Sequence, residues 1–170
     1  MTHEMLAGTE RVIVVSGVLL LIVAGWCDIA TRTVPNQIPA ALAGIGIVLR
    51  MFAGDLLIAL AVACVVFLLA FFCWRRGWLG GGDVKLFAAA ALLVAPARVP
   101  GLVIDTALAG GMLALLYLAL QAVLPAPAPA RPAARLARVL RVEQWRIRHR
   151  APLPYASAIA AGAIFVLLSR

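Results

Sequence analysis

The stretch from Leu56 to Trp74 contains no charged side chain and no amide side chain. Similar apolar runs precede and follow it, and 65% of the 170 residues are hydrophobic, against about 45–50% in an average soluble domain. A transmembrane helix needs about 20 apolar residues, and these runs lack the two-residue alternation of a lipid-facing barrel. The sequence therefore predicts an all-α integral membrane protein.

Six apolar segments are expected to form transmembrane helices, at residues 12–30, 38–52, 56–74, 84–96, 102–124 and 153–168. Pro35 disfavours helix in the residue before it, and Pro125, Pro127 and Pro129 open a stiff linker. Residues 133–150 carry six arginines with apolar residues at helical spacing, which predicts a basic helix on the membrane surface between helices five and six. Without an internal repeat, residues 1–170 are expected to form a single transmembrane domain.

Loop charge predicts the orientation of these helices. Six crossings put both termini on one side, and eleven of the fifteen basic residues then fall on the other side. The positive-inside rule places that side in the cytoplasm, so both termini are expected to be non-cytoplasmic. Basic loops that meet anionic lipid explain the net charge of +8, and nucleic-acid binding is not expected because no base-stacking aromatic pattern accompanies the arginines. The eleven residues are Arg32, Arg75, Arg76, Lys85, Arg131, Arg135, Arg138, Arg141, Arg146, Arg148 and Arg150.

This orientation separates the four aspartates. Asp28 and Asp83 lie at cytoplasmic helix ends, whereas Asp55 and Asp105 lie on the opposite side. Only the first two can meet without crossing the bilayer, and an acid beside apolar segments is costly enough to indicate a function. Two facing carboxyls share a proton, so that one activates water while the other donates a proton without a metal. The sequence predicts such a pair, with Asp83 as the base because it lies in a first helical turn, and Asp28 as the proton donor.

Three glycines, residues 80–82, directly precede Asp83. We expect them to leave room for an extended peptide and to adopt backbone angles closed to other residues. Two roles stay open for Lys85, which could steady the carboxylates or bind a lipid phosphate, and Asn36 is expected to cap the second helix. The three cysteines form no Cys-x-x-Cys pair, so neither a metal site nor a disulfide framework is expected.

Three segments together resemble the prepilin peptidase family, the aspartyl membrane proteases with a Gly-x-Gly-Asp motif. Gly80-Gly81-Gly82-Asp83-Val84-Lys85 matches the Gly-x-Gly-Asp-x-Lys signature. Asp28 followed by Pro35-Asn36 looks like the family's first-aspartate segment, and Leu153-Pro154-Tyr155 resembles the Pro-Tyr segment that opens its last helix. The resemblance implies that Asp28 and Asp83 are catalytic. It also implies a supporting motif of Gly80, Gly82, Lys85, Pro35 and Asn36, and a substrate approach beside Gly81, Pro154 and Tyr155.

The implied substrate is a type IV pilin-like precursor with a short, basic cytoplasmic leader and an apolar helix, cleaved at the cytoplasmic face of a bacterial inner membrane. Longer members of the family carry a cytoplasmic insertion with paired Cys-x-x-Cys motifs and also methylate the new amino terminus. This chain lacks that insertion and resembles the short members that serve Flp/Tad pili. No methyltransferase activity, no S-adenosylmethionine and no other cofactor are therefore expected, and the oligomeric state stays open.

Two other classes of protein are compatible with an apolar helical chain that carries acids. A proton-coupled transporter would place its acids near the bilayer midplane and build broken helices into repeated halves. A non-catalytic subunit of a pilus or secretion assembly would keep the same fold. The position of the acids at one membrane edge and the presence of both of them favour the endopeptidase.

Overall fold

The computed structural model describes residues 3–125, 134–149 and 151–169, and these ranges contain seven α-helices. A short 3-10 turn at Pro96–Arg98 precedes the fifth helix. The all-helical prediction is confirmed, whereas most of the proline-rich linker, residues 126–133, lies outside the described part of the chain, as does Arg150. The helices are α1 (His3–Thr31), α2 (Gln37–Ala53), α3 (Leu56–Arg75), α4 (Gly81–Leu93), α5 (Val99–Val123), α6 (Arg135–Arg148) and α7 (Tyr155–Leu168).

Two short helices, α4 and α7, pack against each other at the centre of the fold. Helices α2 and α3 pack on α4, and helices α1 and α5 pack on α7. The central pair is rich in alanine, and its side chains form much of the buried core, including Ala90, Leu93, Ile159 and Ala163. Small side chains let helices approach closely, which is the main source of helix–helix packing where the surrounding lipid is itself apolar.

Two glycines lie where helix backbones approach most closely. A Cβ atom at Gly46 of α2 would lie 2.6 Å from the Cβ of Leu92 in α4. A Cβ atom at Gly162 of α7 would lie 2.6 Å from the backbone nitrogen of Thr106 in α5. Both positions are therefore closed to any side chain unless the paired helices separate.

Three of the helical segments are long and apolar enough to cross a membrane: Glu10–Thr31, Leu56–Arg75 and Pro96–Val123. They form the outside of the fold, with 28%, 22% and 17% of their most apolar windows buried. Helices α2, α4 and α7 have only 17, 13 and 14 residues, and about 20 residues are needed to span a ~30 Å hydrocarbon core. Three of the six predicted spans thus have full spanning length.

Several helix boundaries differ from the sequence prediction. Helix α4 begins at Gly81 and ends at Leu93 instead of running from Val84 to Pro96, because Asp83 caps its start by accepting the N–H of Gly80 at 3.0 Å. Helix α5 begins at Val99, three residues before the predicted start, since a helix tolerates proline in its first turn. Helix α1 begins at His3, well before the predicted start at Val12.

Candidate active site

Asp28 lies in the last turn of α1 and is buried, with only 6% of its surface exposed. Its Oδ2 atom accepts the backbone N–H of Ala156 at 2.9 Å. Ala156 is in the first turn of α7, where backbone N–H groups have no partner within the helix and carry partial positive charge. The Asp28 side chain, at the end of α1, therefore caps the start of α7.

Asp83 lies in the first turn of α4, outside the three segments of spanning length. The pKa of its carboxyl is raised to about 6, chiefly by burial; the N–H of Gly80 lowers it and the negative charge of Asp28 raises it, and both effects are included in that value. Asp28 is thus close enough to Asp83 for its charge to act on that carboxyl. Asp83 is also close enough to act on Tyr155, the first residue of α7.

The two central helices therefore begin at the same end of the fold, and each has an aspartate at its N-terminus. Asp55 is engaged elsewhere, since its Oδ2 atom accepts from Arg50 at 3.1 Å in the turn between α2 and α3. Asp105 lies in α5. Loop charge selected Asp28 and Asp83 as the pair, and the structure brings those two together; their catalytic roles remain a prediction.

The sequence argument for unequal roles needs one correction. It singled out Asp83 because that residue lies in a first helical turn, but the Asp28 carboxyl also faces the first turn of a helix, at the start of α7. Both carboxyls lie at helix N-termini, so helix dipoles do not distinguish them. Burial does distinguish them, because Asp28 is buried and Asp83 is half-buried.

One of the two roles expected for the glycines before Asp83, access to unusual backbone angles, was wrong; the expected room for a peptide stays a prediction. Among the described glycines, only Gly54 and Gly77 have positive φ angles, so residues 80–82 do not need the backbone freedom that was predicted. Gly80 is instead required by a close approach: a Cβ atom there would lie 3.0 Å from the Oδ2 of Asp83. The missing side chain lets the carboxyl fold back onto the Gly80 amide.

Lys85 connects the Gly-x-Gly-Asp-x-Lys segment to the segment that contains Pro35 and Asn36. Its Nζ atom donates to the Oδ1 of Asn36 at 3.0 Å, which ties α4 to the start of α2. Asn36 occupies the N-cap position of α2, but its side chain makes no capping hydrogen bond, so the expected capping role was wrong. Pro35 supports the same turn, since its carbonyl accepts the N–H of Ile38 at 3.0 Å.

The Lys85–Asn36 contact can be tested by a double-mutant cycle with Lys85→Ala and Asn36→Ala. We expect each single variant to lower stability by about 0.5–1.5 kcal/mol, because each removes the same hydrogen bond. The double variant should lower the stability by less than the sum of the two single effects. Thermal unfolding in detergent measures these changes, and strictly additive effects would contradict the contact.

Pro154 and Tyr155 lie at the start of α7, close to the aspartates. Pro154 is fully buried, and the Tyr155 ring packs where a Cβ atom at Gly110 of α5 would meet it at 3.0 Å. Gly81 is the first residue of α4 and lies beside an apolar cavity of about 260 Å³ between α3 and α4. The cavity is lined by Phe67, Phe71, Trp74, Gly81, Val84 and Lys85.

Long apolar helices and two interacting carboxyls at one end of the fold define a helical membrane protein with a paired-aspartate site. The family model of the type IV leader peptidases matches residues 15–115, more than half of the chain, and the protein belongs to that family. Membership implies prepilin substrates and suggests aspartic peptidase activity. Neither the curated proteins nor the solved structures that were searched gave a match.

Proposed function

We propose that this protein is an aspartic endopeptidase that removes the leader peptide of type IV, Flp-like prepilins, with Asp28 and Asp83 as its catalytic residues. The observation that carries the proposal is the placement of both carboxyls at the shared end of α4 and α7, with Asp83 in the first turn of α4 and the Asp28 carboxyl bonded to the first turn of α7. Family membership supports the substrate class, since both aspartates lie inside the matched residues 15–115.

In the proposed reaction Asp83 is ionised and Asp28 is protonated at the start. Asp83 takes a proton from a water molecule whose oxygen attacks the scissile carbonyl, while Asp28 gives its proton to the carbonyl oxygen. As the C–N bond breaks, Asp83 gives the proton it took from water to the leaving amine, and Asp28 takes a proton back from a hydroxyl of the intermediate as the C=O bond re-forms. Asp83 is assigned the role of base because it is half-buried and has easier access to water than the buried Asp28.

The proposed topology has six crossings, non-cytoplasmic termini and an active site at the cytoplasmic face of a bacterial inner membrane. Helices α2, α4 and α7 are short, but α4 and α7 are enclosed by longer helices, so their ends need not meet lipid directly. Asp83 then lies at the membrane edge, where water is available. Helix α6 would rest on the cytoplasmic surface, with its arginines near anionic lipid.

The proposed substrate has a short cytoplasmic leader followed by an apolar helix. The sequence carries no Cys-x-x-Cys pair, which supports a short Flp/Tad-type member that cleaves without methylating. The aromatic-lined cavity beside Gly81 offers an apolar contact next to the Asp83 helix. An assay that co-expresses the protein with a candidate Flp-type prepilin and follows the leader by gel shift tests the function directly.

The assignment of Asp83 as the base predicts a pH dependence. A base must be ionised to act, and the pKa of Asp83 is about 6, so kcat/KM for the prepilin should rise by about tenfold between pH 5 and pH 7. Purified enzyme in detergent and a fluorescent prepilin peptide would measure it. A rate that is flat or falls over this range would contradict Asp83 as the base.

A further inference from the structure

Glu143 is a buried acid in the basic helix α6, with 9% of its surface exposed. Its Oε1 atom accepts from the guanidinium of Arg32 and from the hydroxyl of Tyr117, and its Oε2 atom accepts from Arg146 at 3.1 Å. These donors come from the end of α1, from α5 and from α6 itself. A buried carboxylate needs such partners, because an unpaired charge is costly to remove from water.

The same two arginines hold the end of α1. Arg146 also donates to the backbone carbonyl of Ile29 at 2.9 Å, within the last turn of α1. Arg32 has a φ of 57°, an uncommon conformation for a residue with a side chain. Its backbone N–H donates to the carbonyl of Asp28 at 2.8 Å. Glu143 is thus linked by each arginine to the backbone around Asp28.

Arg32 also reaches the segment that leads into α7. Its Nη1 atom donates to the carbonyl of Pro152 at 2.5 Å. Four residues later the N–H of Ala156 donates to the Asp28 carboxyl. These contacts therefore form a closed ring. It runs from Asp28 through Ala156 and Pro152 to Arg32, which lies at the end of α1. Glu143 holds Arg32 in this position.

We propose that Glu143 is a positioning residue for the reaction: by holding Arg32 and Arg146, it keeps the end of α1 and the start of α7 in register, so that the Asp28 carboxyl stays aimed at the reacting groups. This inference rests on the proposed function. Glu143, Arg146 and Ala156 lie beyond residue 115, where the match to the family ends. The positioning device therefore depends on α6 and α7, which the family model does not cover, as well as on Arg32 and the end of α1, which it does cover.

The variant that tests this is Glu143→Gln, which keeps the shape of the side chain and removes its charge. We expect kcat for prepilin cleavage to fall by about 10- to 100-fold, since small misplacements of a catalytic group have effects of this size. The KM should stay unchanged, because Glu143 is not expected to touch the substrate. Hydrogen exchange at the Ala156 amide should become faster, because its acceptor is no longer held in place.

Two control variants separate positioning from general stability. Asp55→Asn breaks the Arg50 ion pair in the turn between α2 and α3, so it should lower the unfolding temperature while leaving kcat and Ala156 exchange unchanged. Arg138→Gln removes a charge from an exposed position of α6 and should change neither kcat nor exchange. If Glu143→Gln behaved like Asp55→Asn, Glu143 would be a structural residue only and the inference would be wrong.

The exchange measurement keeps this inference distinct from the proposed function. Faster Ala156 exchange in Glu143→Gln supports the positioning contact even if the wild-type protein cleaves no prepilin, an outcome that would overturn the proposed function alone. Wild-type cleavage combined with an unchanged kcat in Glu143→Gln would overturn the inference and leave the function standing. Unchanged exchange at Ala156 would also overturn it, whatever the activity.

Discussion

Asp83→Asn and Asp28→Asn should each reduce prepilin cleavage by at least about 10²–10⁴-fold, the range that general acid–base groups contribute. Asparagine keeps the shape of aspartate, but it neither accepts the proton from water nor supplies one to the carbonyl oxygen. The capping contacts to Gly80 and Ala156 use one carboxyl oxygen each, and the amide oxygen can replace it. The fold should therefore persist while the chemistry is lost.

The measurement is a gel shift of a co-expressed Flp-type prepilin at matched amounts of enzyme in the membrane. Asp105→Asn is the matched control, because Asp105 lies in α5 and is assigned no part in the site. It should process the prepilin at the wild-type rate. Full processing by either of the first two variants would end the two-aspartate mechanism, and proton-driven uptake that depends on Asp28 and Asp83 would favour a transporter.

Gly162→Leu should prevent the stable packing of α5 against α7. Even the first carbon of a side chain would lie 2.6 Å from the nitrogen and 2.9 Å from the Cα of Thr106, and a helix backbone cannot rotate out of the way. Overpacking by a few methylenes costs about 1–3 kcal/mol, whereas the better helix propensity of leucine returns less than about 1 kcal/mol. The net result is a lower unfolding temperature in detergent, or no folded protein.

Gly162→Ala provides a milder version in case the leucine variant does not accumulate. Gly111→Ala is its control, since Gly111 lies in α5 with nothing within 4 Å of a Cβ atom at that position. That change should be neutral or stabilising by up to about 1 kcal/mol. Equal unfolding temperatures for Gly162→Ala and Gly111→Ala would show that the helices do not approach this closely.

The helices were predictable because apolar runs and their breaks are local features of the sequence. The start of α4 was predicted three residues too late, since a glycine run weakens any expectation of helix. One signal was present: Asp83 stands three residues after Gly80, the spacing of a capping box. The position of Asp28 and Asp83 at the same end of the fold was also predictable, because charge counts along the chain indicate which acids share a side.

The partners of these residues were not predictable. The donor to Asp28 is the backbone N–H of Ala156. Every residue except proline has such a group, so the residue type does not indicate which one is the donor. Glu143 was one acid among six arginines, in a segment predicted to form a basic helix on the membrane surface. Its burial depends on Arg32 and Tyr117, which meet it only after α1, α5 and α6 have packed together.

The hydrogen bond between Asp28 and Ala156 joins residues 128 positions apart. During synthesis, α1 and α4 emerge with both aspartates well before α7 is made. A nascent chain at that stage has its acids but lacks the amide that holds one of them. The proposed active site is thus incomplete until α7 has been made, because the amide that holds the Asp28 carboxyl belongs to that helix.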